Sequence, residues 1–159
     1  MCNYNKIFKN QMFLNALIEN EKAEKNRKYC LHNINHFLDT ARIAYILSLE
    51  NNLKIPKDNI YAASLLHDIG RFKQYNEGVN HVEASIILTK EILNDCGYRK
   101  NDVDDIIIAI RNHGKKNNEV KSLSDIIYLA DKLSRNCFLC NAINECYWKD
   151  EEKNMDIKY

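Results

Sequence analysis

Ile60-Tyr61-Ala62-Ala63-Ser64-Leu65-Leu66-His67-Asp68-Ile69-Gly70-Arg71 is the stretch around which the rest of the chain is arranged. Its first seven residues are mostly apolar and predict a buried helical run. Consecutive helical residues point only about 100° apart, so an imidazole and a carboxylate side by side at the end of that run can lean onto one ion. Gly70 marks the helix end. A His-Asp pair by itself is commonplace and usually makes a surface hydrogen bond or a helix terminus. Here the apolar run should carry His67 and Asp68 inward rather than into solvent.

Other ligating side chains recur at the edges of further helical segments. Residues 33–51 carry Ile34, Phe37, Leu38, Ala41, Ala44, Tyr45 and Leu49 at three- and four-residue steps, which predicts a helix with His36 beside its apolar stripe. His32 lies four residues earlier, one turn away on the same face if that helix extends so far back. It is a candidate for contact with substrate or ligands, and a plain surface histidine fits equally. His81 opens a helix with Ile86, Ile87, Ile92 and Leu93 inward, ending at Cys96-Gly97. Residues 102–113 predict the next, with Val103, Ile106, Ile107 and Ile110 inward and His113 closing it before Gly114. Asp131 falls in a last long helix, residues 122–144, beside Ile126, Ile127, Leu129, Ala130 and Leu133. A carboxylate buried there unpaired costs several kcal/mol, so a partner is expected. A metal would serve.

Five phrases carry the pattern: His36-Phe37-Leu38-Asp39-Thr40-Ala41-Arg42, His67-Asp68-Ile69-Gly70-Arg71-Phe72, His81-Val82-Glu83-Ala84-Ser85, Arg111-Asn112-His113-Gly114 and Ala130-Asp131-Lys132-Leu133-Ser134-Arg135. Their order resembles the HD superfamily of metal-dependent phosphohydrolases, in the six-ligand variant that holds two metals. The resemblance covers residues 33–135 and implies an all-α fold, an HD-domain helical bundle with a central metal site. It also implies that His36, His67, Asp68 and Asp131 hold one ion and that His81 and His113 hold a second, with Asp68 bridging. Mixed imidazole and carboxylate ligands suit Fe or Mn, and also Zn, Co or Ni, better than Mg or Ca.

Relatives of this kind include phosphodiesterases and dinucleoside polyphosphate hydrolases. In them the metals polarise phosphoryl oxygens, and a water between two ions about 3.5–4 Å apart becomes the nucleophile near neutral pH. No residue nucleophile is needed, and Asp68 and Arg71 are the expected catalytic side chains. Phosphoryl transfer spreads charge over the nonbridging oxygens, and Arg71 matches the basic residue that often follows His-Asp-x-Gly in the superfamily. Lys132 and Arg135 are further candidates for substrate contact, or else a solvated helix face. The expected activity is hydrolysis of a nucleotide or related small phosphoester. Two alternatives stay open. A small set of six-ligand HD proteins uses a mixed-valent di-iron pair to activate oxygen and cleave a carbon bond; ligand order does not separate them, although the short segment from Asp68 to His81 and the arginine after the glycine look more like the hydrolases. A noncatalytic ligand-sensing module that retains the metal is the other, and the complete ligand set argues against it.

Bulk properties set the frame. At 159 residues the chain is long enough for one domain, residues 1–148, plus a charged tail, 149–159, expected to be weakly held. Basic and acidic side chains nearly cancel (23 against 22), so no footprint for a nucleic-acid polymer is present. No stretch approaches the roughly 20 apolar residues that span a bilayer, and residues 1–6 lack a signal-like apolar run. A cytoplasmic protein with no membrane partner is expected. One proline and four glycines in a chain rich in Leu, Ile, Ala, Glu and Lys favour helix throughout. Residues 5–24 predict an amphipathic helix without chemistry, and 22–28 a solvated charge run. Asp58 predicts a helix cap after Pro56, and 72–80 a loop.

Six cysteines in a reducing compartment predict buried thiols or metal ligands rather than disulfides. Cys137, Cys140 and Cys146 form a Cys-x2-Cys-x5-Cys run, and Cys30, just before the His36 helix, is a candidate fourth ligand. Thiolates suit zinc or an iron-sulfur cluster; the plainer reading is small buried side chains on one helical face. Trp148 would then shield such a site or cap the core. Cys2 and Cys96 stand apart from this run in the sequence.

Overall fold

Helix α3 (Lys57–Leu66) is covered on nearly every side, with Ile60, Ala62, Ala63, Ser64, Leu65 and Leu66 all buried. A helix apolar around its whole circumference belongs inside the bundle, and α3 lies against α2 (Ile34–Glu50), α6 (Lys100–Asn112) and α7 (Leu123–Leu133). The computed structural model describes residues 4–117 and 119–159, which form seven α-helices and, among these residues, no strand. Helices α2 and α7 pack on each other, α6 reaches both α7 and α5 (His81–Asp95), and α4 (Arg71–Glu77) joins α5 to α1 (Gln11–Ala23). Phe13, Phe37, Leu65, Ile92, Ile106 and Ile126 are fully enclosed between them. Each such side chain contributes about 1.5–3 kcal/mol by leaving water. Among the described residues, no helix is long and apolar enough to cross a membrane.

Several boundaries depart from the sequence reading, each for a local reason. The segment expected to be one helix from residue 5 is a 3-10 turn, Tyr4–Lys9, followed by α1, because the Asn10 side chain accepts from Met12 N and Phe13 N and starts a new helix. Asp58 does not cap α3; it lies in the first turn, after Pro56. The expected loop at 72–80 is instead the two-turn helix α4, closed by Gly78 at φ +71°. The last helix stops at Leu133 rather than running to 144. Its final carbonyls are taken by side chains: Ser134 Oγ donates to Asp131 O at 2.8 Å, and Asn154 Nδ2 to Lys132 O at 2.7 Å and Arg135 O at 3.0 Å. Those bonds also fasten the charged tail, in which Asn154 is buried.

Candidate metal centre

Leu66 ends α3, and His67-Asp68-Ile69-Gly70 turns the chain into α4 inside the bundle. Two neighbours fix that turn. Asn20 of α1, itself fully buried, donates to Asp68 O at 3.1 Å and accepts from Phe72 N at 2.7 Å. Gly70 N donates to Ser85 Oγ at 2.9 Å, and a Cβ at Gly70 would come within 2.5 Å of Ser85 N and 2.6 Å of Ala84 C. The turn therefore lies flat on α5 only because residue 70 has no side chain.

Around it the structure gathers His36 from the first turn of α2, His81 from the start of α5, His113 from the end of α6 and Asp131 from α7. Two sets have ligand atoms all within 4.8 Å of one another: His36, His67, Asp68 and Asp131, and Asp68, His81 and His113. Asp68 belongs to both. Its Oδ1 lies 3.4 Å from His81 Nε2 and 3.7 Å from His113 Nε2. Its Oδ2 lies 3.6 Å from His67 Nε2, 3.4 Å from His32 Nε2 and 3.1 Å from Arg71 Nη2. Asp131 Oδ1 faces His36 Nε2 at 3.3 Å and His67 Nε2 at 3.7 Å.

The histidine tautomers suit cation binding. His67 Nδ1 donates to Ser64 O at 2.7 Å and His113 Nδ1 to Ile110 O at 2.6 Å. Ser134 Oγ uses its proton on Asp131 O, so it accepts from His36 Nδ1 at 3.0 Å. In all three rings the Nε2 lone pair is thereby turned toward the carboxylates. Burial holds His36 neutral, down to about 3, with Arg135 adding to the effect, and holds His81 down to about 4 against the pull of Asp68. His67 runs the other way: burial disfavours its charge, but Asp68 and Asp131 outweigh burial and raise it. Both carboxyls are held well below the ordinary range despite burial, Asp68 mainly by His67 and Arg71, and Asp131 by His36 and His67. His67 Nε2 and Asp68 Oδ1 are buried without a hydrogen-bond partner among the described residues. Unmatched nitrogen and oxygen donors converging in a buried pocket fit a divalent transition metal.

His32 reaches the site, but not as the helical spacing suggested. Helix α2 begins at Ile34 behind its Asn33 cap, so His32 precedes it. What places it is Glu24, which accepts from His32 N at 2.6 Å and from His32 Nδ1 at 2.5 Å. Its Nε2 is left to accept from Arg71 Nη2 at 3.3 Å. Glu24 also accepts from Tyr75 OH at 2.8 Å, and that bond together with burial pushes Tyr75 up to about 12. Residues 22–28 are therefore not the wholly solvated charge run that their composition predicts, since Glu24 is 4% exposed. Asn20 and Glu24 continue the inner face of α1 from Phe13 and Ala16 at three- and four-residue steps, a spacing that could have marked them as buried although both are polar.

The centre opens on one side into a cavity of about 410 Å³ lined by His32, His36, Arg71 and Asp131. Arg27, Lys28, Lys132, Arg135 and Lys153 also line it, against one further carboxylate, Asp39. Arg135 is anchored by Leu31 O at 2.9 Å and reaches His36 Nε2 at 3.0 Å, while Lys132 Nζ lies 3.3 Å from Asp131 Oδ2. Cys30, Cys137, Cys140 and Cys146 face the same space with Trp148. Cys137 and Cys140 belong to a 3-10 turn and its end rather than to one face of α7, and Cys96 is buried in the core elsewhere. Cys2 lies outside the described residues.

Comparison with known proteins agrees with this architecture. Residues 33–136 match the model of the HD domain family. An uncharacterised protein of Clostridium beijerinckii is 42% identical over the full length of both chains. The crystal structure of a predicted HD superfamily hydrolase from an uncultured Thermotogales bacterium superposes with a TM-score of 0.62, covering 89% of this chain and 81% of that one at 23% identity. With the family match spanning the helices that carry His36, His67, Asp68, His81, His113 and Asp131, the chain belongs to the HD superfamily.

Proposed function

We propose that the protein is a metal-dependent phosphohydrolase acting on a nucleotide or a related small phosphoester. The observation that carries this reading is Asp68, whose two oxygens face different histidine sets while Arg71 holds one of them from the cavity side. His36, His67, Asp68 and Asp131 are assigned to one ion, and His81 and His113 to a second that shares Asp68. Iron or manganese is the metal we expect, and zinc, cobalt and nickel also suit the mixed donor set. When bound, such ions polarise phosphoryl oxygens and make a bound water nucleophilic near neutral pH.

The remaining work falls to the chain itself. Arg71 is 21% exposed, fixed by Asp68 at 3.1 Å and by Gln74 at 3.3 Å, and so presents a preset positive charge at the cavity floor. Such a donor stabilises charge on nonbridging oxygens more in the transition state than in the ground state. Lys132 and Arg135 extend the positive lining on the α7 side and are assigned to substrate contact, as is His32. A cavity with this excess of cations matches a phosphate-bearing substrate.

The test is phosphate release from a panel of nucleoside mono-, di- and triphosphates and diesters by protein loaded anaerobically with iron or manganese. Turnover that requires the metal and disappears in Asp68→Ala is expected. Oxygen consumption without phosphate release would transfer the site to oxygenase chemistry. Ligand-induced thermal stabilisation with no turnover of any kind would make it a sensor.

A further inference from the structure

Four cysteines take no part in the function proposed above, yet the fold assembles them. Cys137, Cys140 and Cys146 fall within ten residues, and Cys30 is brought to them from the segment before α2. All four line the same cavity wall, Cys137 buried and the others half-buried, and all are free thiols. Burial pushes the Cys30 thiol up and Arg135 pulls it down, while charge on Cys137, Cys140 or Cys146 would each push it higher. The four sulfurs thus share one electrostatic neighbourhood.

The segment that carries three of them is poor in other anchors. Between Ser134 and Trp148 the buried apolar side chains are Cys137 and Ala142, whereas Leu139 and Tyr147 are 76% and 83% exposed. Its backbone forms short 3-10 turns, with Phe138 N donating to Asn154 O at 3.2 Å. The ties from Lys28 and Tyr29 to Glu145, each 3.3 Å long, are exposed to water, where they contribute little. A stretch with so small a core of its own is the setting in which a metal replaces hydrophobic burial. Charge fits as well, because thiolates around a metal leave a net negative group, and Arg135 and Lys153 stand beside these cysteines.

We propose that Cys30, Cys137, Cys140 and Cys146 hold a further metal centre through their thiolates, either a zinc ion or an iron-sulfur cluster, distinct from the His/Asp centre. A tetrahedral zinc site sets its sulfurs about 3.8 Å apart, given Zn–S bonds of about 2.3 Å. Among the described residues, the groups of three or more with ligand atoms all within 4.8 Å are the two His/Asp sets, so no three of the cysteine sulfurs come that close together. An iron-sulfur cluster spreads its thiolates over several iron corners and needs less closing of the wall. In either form the centre pins the wall bearing Trp148, whose ring lies 5.1 Å from Lys132 Nζ.

The experiment is zinc, iron and acid-labile sulfide per chain in protein purified without oxygen, for the wild type, a Cys137→Ser/Cys140→Ser variant and a His36→Ala/His67→Ala variant. The wild type should carry either zinc, or iron with matching sulfide, that the cysteine variant loses and the histidine variant keeps. Metal lost from the histidine variant alone belongs to the site under Proposed function, so the two assignments stand or fall separately. Equal zinc, iron and sulfide in the wild type and a cysteine variant of unchanged helix content would overturn the proposal. So would a Cys137–Cys140 disulfide in the freshly isolated wild type. Thiol titration of the native wild type reads the same question without mutation: the half-buried Cys30, Cys140 and Cys146 should react only after a chelator is added, and immediate reaction counts against the centre.

Discussion

Replacing Asp68 by Ala removes the carboxylate shared by both histidine sets, so metal content and phosphate release should fall together, the latter by at least about 10³-fold, the scale of losing a principal charge-stabilising group. Circular dichroism should keep its helical signature, because the change leaves the Asn20 contact to Asp68 O in place. Glu24→Gln is subtler. It keeps the size but weakens the hold on His32 Nδ1, and a loss of roughly 10–100-fold is expected, as for other residues that orient a site's working groups. Retained metal with a lowered kcat would mark Glu24 as a positioning residue; unchanged kinetics would remove it from the site. Acid should act through the histidines. His36 and His81 have folded values of about 3 and 4 against an ordinary 6.5, and burial lowers His32 and His113 as well. For a group with a depressed folded value, the unfolded chain binds the proton first, so stability falls as pH drops below 6.5 toward those values. His67, raised, opposes this by contributing stability below its unfolded value and losing it as pH rises through the folded one. With four rings against one, the Tm of metal-stripped protein should drop steadily from pH 7 to pH 4, read by thermal denaturation. A flat profile over that range would contradict the neutral state assigned to these rings.

Helix α3 and the turn that follows it form the element on which the centre is mounted. Gly70→Ala should destabilise by at least about 1–3 kcal/mol, the usual range for overpacking, because the added Cβ meets the backbone of α5 and not a flexible side chain that could swing away. Urea unfolding measures that loss, and metal affinity should fall with it as the turn is pushed off α5. The helices α2, α5 and α6 could be read from apolar spacing because their buried faces repeat at three and four residues, and α3 from an almost unbroken apolar run. α4 could not: none of its seven residues is buried, so it presents no stripe. Nor could the end of α7 be read, since Ile126, Ile127 and Ala130 announce the helix while its stop depends on Asn154, 21 residues beyond Leu133.

For the whole molecule, the proposed ligands come from five helices or helix junctions, so binding an ion should stiffen the bundle as a unit. Saturation at about 100 times the Kd adds about 2.7 kcal/mol, which for this size corresponds to a rise in Tm on the order of 5–10 °C, reversed by a chelator. Removing residues 149–159 withdraws the two Asn154 bonds from the end of α7 and should cost about 1–3 kcal/mol. The helical fold was legible in the sequence from apolar periodicity, while the superfamily and the convergence of His36, His67, Asp68, His81, His113 and Asp131 were legible from the resemblance that the order of these residues carries. Only tertiary structure revealed what Asn20 and Glu24 do, because their partners, the turn after α3 and His32, lie outside α1. Tertiary structure also set Cys30 on the wall that carries Cys137, Cys140 and Cys146, which the sequence reached only through the place of Cys30 before the His36 helix, because more than a hundred residues separate them and local spacing holds no information about contacts made across the bundle.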